Sequence, residues 1–275
     1  MTSVLGVHGI GNFGYLRRGG SVQGAAELLS AEWGAQLAGV PSADDFDVTV
    51  AFYAHCLHRG TSQGEAGDPS ALEPGAQQLL VDWVDLLRPG MTNPQGPRTA
   101  RARQAAEWLT RTFGRSSRVF AIAFCREVHT YLASPGSPRR EAARRVVADA
   151  IAEHRPDVIV AHSLGSVVAY EALWAHPEHD VELLVTIGSP LAMAGVVAPR
   201  LIPATDIGGR PPRVRRWRNA ADVGDIIAIP RSGLRDRFAG VEDDTEVVIG
   251  SWDFHTAGAY LRTKEVVNLI RSVSG

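Results

Sequence analysis

Short apolar runs alternate with stretches of helical periodicity through much of the chain. SVLGVHG (3–9), FDVTVAFYA (46–54), DVIVAH (157–162), VELLVTIGSP (181–190) and TEVVIG (245–250) have the length and composition of strands. Between them, residues 21–39 carry apolar positions at helical spacing behind a serine cap, and 139–154 form an amphipathic pattern that ends before Pro156. SLGSVVAYEALWA (163–175) reads as a helix stopped by Pro177, and 256–272 as a last helix. Strands that alternate with helices predict a mostly parallel sheet, because a parallel crossover needs a connection of helix length. The expected class is therefore α/β, with helices on both faces of the sheet. No internal repeat is visible.

One region breaks the alternation. Between Ala54 and Pro138 lie two turn-rich pieces, RGTSQGEAGDPS and RPGMTNPQGPR, and three apolar stretches, AQQLLVDWVDLL, RQAAEWLTRTF and SRVFAIAFCREVHTYLA. Periodicity leaves the last open between helix and strand. Residues 55–138 are read as a largely helical insertion that caps the sheet, and 1–54 with 139–275 as the core. An extra helical layer without a role at the site is the alternative.

A chain of 275 residues can bury a substantial core. Its net charge of −2 gives no electrostatic case for nucleic acid or an anionic membrane. The basic charge is almost all arginine, since Lys264 is the single lysine. Cys56 and Cys125 do not make a disulfide framework. MTSVLGVHGIGNFG lacks the basic and long apolar regions of a secretory signal, and no window holds eighteen uncharged apolar residues. The expectation is a cytoplasmic protein with a small-molecule partner and no membrane-spanning segment. Oligomeric state is not legible.

The stretch VAHSLGS (160–166) sits where an apolar run meets a helical one, which puts Ser163 at a strand–turn–helix junction. Ser163 can cap the helix, or it can be a nucleophile. A nucleophilic serine needs a base, a group that holds the base, and backbone N–H groups for the developing oxyanion. The turn pattern for such a serine is G-x-S-x-G, because neighbouring backbone leaves no room for large side chains. Here Ala161 takes the first glycine position and Gly165 keeps the second. The helix that follows points its N-terminal amides at the serine. A second feature, Val7-His8-Gly9-Ile10-Gly11, closes the first strand with a glycine-rich turn that lets a backbone N–H face a site. That turn lacks the lysine of a P-loop. Gly9–Gly14 fits G-x-G-x-x-G in letters only, with no acid-ended strand about twenty residues on. No cofactor is expected. His55-Cys56-x-His58 has no second cluster to complete a metal site, so no metal is expected either.

HGIG after one strand and A-H-S-L-G after a later one resemble the α/β-hydrolase superfamily. Within it, the pair is similar to bacterial lipases with alanine in place of the first elbow glycine. The resemblance covers about two-thirds of the chain and leaves out 55–138. It implies Ser163 as nucleophile and the amides of Ile10 and Leu164 as oxyanion hole. The superfamily order of nucleophile, acid, histidine implies His255 as base, since it alone lies far enough beyond the serine; it follows TEVVIG and the turn SWDF. His176 and His179, at the end of the elbow helix, are too near in sequence to curl back. The acid is expected within 213–230, where Asp225 is preferred and Asp222 is the alternative; if it is not the acid, Asp222 is read as a turn, cap or loop-holding residue. His8 and His162 flank the serine and are read as orienting loops.

Arg210, Arg213, Arg215, Arg216 and Arg218 crowd one segment. They face solvent with Trp217 packed inward, or they contact an anionic part of a substrate. The function that follows is a serine hydrolase cleaving a carboxylic ester or thioester of a hydrophobic acyl substrate. Acyl transfer or cyclisation on the same residues is one alternative. A non-catalytic hydrolase-fold ligand binder is the other.

Overall fold

The computed structural model describes the chain except for residues 41–45, 61–66, 90–95, 205–208, 230–232, 251–254 and 274–275. The SWDF turn and parts of both turn-rich pieces fall outside the described residues. The elements run β1 (Thr2–Val7), α1 (Phe13–Gly19), α2 (Val22–Ala38), β2 (Phe46–Ala51), α3 (Ala54–Leu57), α4 (Pro74–Leu87), α5 (Arg98–Phe113), α6 (Arg115–Leu132) and α7 (Pro138–His154). They continue with β3 (Val158–His162), α8 (Leu164–Ala175), β4 (Val181–Ile187), β5 (Val214–Asp222), β6 (Val241–Val247), α9 (Ala257–Leu261) and α10 (Lys264–Arg271). The strands form one six-stranded sheet in the order β2-β1-β3-β4-β5-β6, and every pairing is parallel.

The sheet separates two apolar layers. On β1, Val4 faces one way and Leu5 the other, as the period of two requires. Val4, Val158, Val160, Leu183, Val185 and Ile187 pack with Leu29 and Trp33 of α2 and with Val266, Val267 and Ile270 of α10. Leu5, Ile159, Leu184 and Trp217 pack with α4 to α8. Helix α8 is buried over its first ten residues, Leu164 to Leu173, which suits a helix that is apolar all round.

Between α3 and α7 the regular elements among the described residues are all helical. The ambiguous SRVFAIAFCREVHTYLA stretch is a helix, and Ala121, Phe124, Cys125, Val128 and Leu132 bury one face at helical spacing. Trp83 of α4 donates its indole N–H to the carbonyl of Ile226 at 2.9 Å, which ties this layer to the chain beyond β5.

Three elements differ from the sequence reading. Helix α1 lies in a stretch with no helical signal, because it buries none of its residues. Strand β6 covers VEDDTEV rather than TEVVIG. Its pairing with β5 is polar: Asn219 Nδ2 donates to Asp244 Oδ1 at 2.9 Å, and Glu242 faces Arg216 and Arg218. Cross-strand polar pairing at an edge leaves no apolar pattern to read. The last helix is two helices. Thr263 breaks it, donating from its hydroxyl to Tyr260 O at 2.7 Å and accepting from Val266 N at 3.3 Å, so one side chain closes α9 and opens α10.

Candidate functional site

The order of the strands places a crevice. From β1 the chain moves outward to β2, then returns to pair β3 on the other side of β1. At such a switch point the loops leaving adjacent strands diverge, and their carboxyl ends frame an opening. The two strands that flank it end in the two stretches of interest: β1 runs into His8-Gly9-Ile10-Gly11, and β3 into Ser163.

Ser163 has φ 53° and ψ −130°, a left-handed backbone held by a non-glycine residue. Such a conformation costs about 1–3 kcal/mol and persists only where the surroundings fix it. They do so here. Ser163 N donates to Ile187 O at 3.1 Å, and Ser166 donates to Ser163 O through both its amide, at 2.9 Å, and its hydroxyl, at 2.6 Å. Ser163 stands at the cap position of α8 but its side chain makes no capping bond. Its hydroxyl lies 2.7 Å from His255 Nε2 instead. Gly165 is required by close approach: a Cβ there would lie 2.2 Å from Val7 O and 2.4 Å from His8 O.

His255 directly precedes α9, whose first turn is capped by Thr256. Its Nδ1 lies 2.7 Å from Asp225 Oδ2. Asp225 follows β5 and is buried, and each of its oxygens is held: Oδ1 accepts from Ile227 N at 2.8 Å, and Oδ2 also accepts from the Tyr260 hydroxyl at 2.6 Å. Gly188 makes room for this group. At φ 55° it takes a left-handed turn, and a Cβ there would sit 2.9 Å from Asp225 Oδ2 and 3.1 Å from His255 Cε1. Asp222 serves a different end. Its Oδ1 accepts from Gly224 N at 2.6 Å and its Oδ2 from Ile249 N at 2.8 Å, so it holds the two loops together.

Ser163, His255 and Asp225 thus form one chain of hydrogen bonds across elements far apart in sequence. With an aspartate at Nδ1, the imidazole carries its proton there and presents the Nε2 lone pair to the serine hydroxyl. The two other histidines nearby are kept neutral. Burial lowers His8 to about 4, against the pull of the Gly9 carbonyl. His8 Nε2 accepts from Tyr53 N at 3.1 Å, which puts the proton on Nδ1, 2.7 Å from Gly9 O. His162 is pushed well below the ordinary imidazole range by burial and by its neighbours His255 and His8. His8 therefore clamps the ends of β1 and β2, and its ring stacks on Tyr53 at 4.2 Å.

A cavity of about 680 Å³ opens over these groups. Ile10, Leu29, Trp33, Val119, Phe120 and Ala123 give it apolar walls, while Tyr15, Glu32 and Gln36 add polar groups. His162 and His255 also line it. The ring of Phe120, from α6, meets His255 edge-on at 5.3 Å.

The arginines of β5 and its approach pair with acids. Arg213 and Arg215 face Asp180, Arg215 also faces Glu182, and Arg210, Arg216 and Arg218 face Glu242. Trp217 between them is fully buried. Among the described residues, His176, Glu178 and His179 bring possible ligand atoms within 4.8 Å of one another. They follow the far end of α8, a twelve-residue helix that spans about 18 Å from Ser163. His55 and Cys56 contact each other at 3.4 Å while His58 stacks on Phe13, so His58 does not join the other two.

No model of a known protein family, no curated protein and no solved structure matches the chain. What the site can do has to be argued from its own groups. Among the described residues, no helix is long and apolar enough to cross a membrane. Sequence reasoning missed Tyr260, Gly188 and Glu127, whose carboxylate accepts from Gly11 N at 2.9 Å.

Proposed function

We propose that the chain is a serine hydrolase of the α/β-hydrolase type, acting on a carboxylic ester or thioester with a hydrophobic acyl group. One observation carries this reading: Ser163 Oγ, His255 and Asp225 are joined by two 2.7 Å contacts. The strained backbone of Ser163 adds support, because a cap residue needs no left-handed turn.

In this mechanism Ser163 Oγ attacks the acyl carbonyl carbon and its proton passes to His255 Nε2. Asp225 holds the imidazole in the working tautomer and stabilises the imidazolium. The amides of Ile10 and Leu164 receive the oxyanion. Collapse of the tetrahedral species breaks the bond to the leaving oxygen or sulfur, which takes the proton from His255. Water then attacks the acyl-serine by the same route and restores the hydroxyl. Helices α4 to α6 act as the cap, with Val119, Phe120 and Ala123 as one wall of the acyl pocket. Val119 is 46 % exposed, apolar surface that an acyl chain would cover. Cys56 and Cys125 are free thiols, which suits a reducing compartment.

A fluorophosphonate probe tests the assignment. It should label the native protein and fail to label Ser163→Ala; labelling that persists in the variant would overturn the reading. With p-nitrophenyl esters and acyl thioesters, kcat/KM should rise from acetyl to octanoyl by up to about fourfold per methylene, as each buried CH₂ is worth about 0.8 kcal/mol.

A further inference from the structure

The turn after β1 is held on all sides, and one of the holding groups comes from far along the chain. Gly9 O accepts from His8 Nδ1 at 2.7 Å and from Asn12 Nδ2 at 3.0 Å. In a trans peptide the C=O and N–H point to opposite sides of one plane. Pinning Gly9 O therefore aims the Ile10 N–H away from Asn12. The next plane is pinned at both ends as well. Ile10 O accepts from Asn12 Nδ2 at 3.0 Å, and the Gly11 N–H donates to Glu127 Oε1 at 2.9 Å. Gly11, at φ 79°, has a backbone free to turn if that last bond is lost.

Glu127 lies on α6, 116 residues beyond Gly11, in the helical layer rather than the sheet. Its carboxyl is badly placed for a charge. Burial raises it to about 7, against the pull of the Gly11 amide and Arg126. It also lies close enough to the buried Tyr53 phenol to help raise that group. A carboxylate desolvated for a single amide bond is a weak source of stability, and such groups cluster where geometry is being set.

We propose that Glu127 is a positioning residue for the oxyanion turn: by fixing the Ile10–Gly11 peptide it fixes the direction of the Ile10 amide and couples helix α6 to transition-state stabilisation. The inference rests on the hydrolase reading of Ser163. A donor aimed at the oxyanion acts mainly in the transition state, so its misalignment lowers kcat and leaves KM nearly unchanged. Glutamine keeps the Oε1 acceptor and removes the charge, so it separates positioning from ionisation.

The experiment compares native protein, Glu127→Ala and Glu127→Gln on the best p-nitrophenyl ester. Inhibition by an alkyl trifluoromethyl ketone, whose serine adduct bears an oxyanion, is measured alongside. Glu127→Ala should lose about 10- to 100-fold in kcat, with KM within about twofold, less than the roughly 100- to 1,000-fold cost of removing an oxyanion donor outright, because the Ile10 amide is misaligned and not lost. Ketone affinity should fall in parallel, and Glu127→Gln should restore both to within about threefold. If Glu127→Ala does not fold, Glu127→Asp, one methylene too short to reach, carries the same test. A folded variant with native kcat, a loss confined to KM, or a loss that glutamine does not restore would overturn the proposal. Native protein that neither labels at Ser163 nor turns over any ester would instead overturn the hydrolase reading beneath it.

Discussion

The hydroxyl of Tyr260 donates to Asp225 Oδ2 at 2.6 Å, the same oxygen that His255 Nδ1 meets at 2.7 Å. Tyr260 is fully buried, and its oxygen also accepts from Asp222 N at 3.1 Å. Burial and the nearby Asp225 carboxylate raise the phenol far above its ordinary range, so it stays a donor at every working pH. Tyr260→Phe should therefore leave Asp225 with one donor fewer and a less fixed orientation. The expected result is a fall in kcat of about three- to tenfold, with KM unchanged and a stability loss of about 1–2 kcal/mol. Native kcat in a folded Tyr260→Phe protein would reduce the hydroxyl to a packing role.

Asp222 and Asp225 differ in what they hold, so their amide variants should differ in kind. Asp225→Asn puts an amide opposite His255 Nδ1 and favours the wrong tautomer, which costs about 10⁴-fold in kcat in the serine protease precedent. Asp222→Asn can still accept at one position but weakens the clasp between Gly224 and Ile249. It should lower the melting temperature by a few degrees and kcat by less than about tenfold. Steady-state kinetics and thermal melts on both proteins check this. The reverse ranking in kcat would make Asp222 the acid.

The elements that were legible in sequence are those whose signal is local. β3 is four apolar or small residues followed by His162, all buried, and α2 announces itself with Ser21 and the spacing of Ala25, Leu29, Trp33 and Leu37. The junction at Ser163 was legible because strand, small residues and helix are contiguous. α1 was not, since it buries nothing, and β6 was legible only in its last three residues, since the partners of its earlier ones are charges on another strand. The support around Asp225 and Gly11 was hidden for a related reason. Tyr260 lies 35 residues from Asp225 and Glu127 lies 116 from Gly11, and neither carries a mark that ties it to its partner.

The strain at Ser163 gives a prediction in which stability and reactivity move apart. Glycine takes φ 53° without penalty, so Ser163→Gly should release part of the roughly 1–3 kcal/mol held there. The higher entropy of glycine in the unfolded chain offsets some of that gain, and the expected rise in melting temperature is a few degrees. Labelling and turnover should vanish together. A melting temperature well below the native one would mean that the left-handed turn stores no strain.

A buried histidine and a part-buried carboxyl should set opposite slopes in the pH dependence of stability. His8 is lowered to about 4 when folded, so the unfolded chain takes up a proton first. Its contribution, about 3 kcal/mol, is present above 6.5 and is lost as pH falls toward 4. Glu127 is raised to about 7, so the folded protein keeps its proton longer than the unfolded chain does. Its contribution is present below about 4.5 and is lost as pH rises through 7. Allowing for its partial exposure, the loss is about 1–2 kcal/mol. Between 4.5 and 6.5 the two slopes oppose each other. Glutamine at 127 removes one of them and leaves the other groups in place. The stability difference between Glu127→Gln and native protein, from urea titrations at pH 5 and pH 8, should therefore shift in favour of the variant by about 1–2 kcal/mol at the higher pH. A difference that stays constant across that interval would mean that Glu127 ionises as an ordinary surface carboxylate, and that burial imposes no cost on the contact it makes with Gly11.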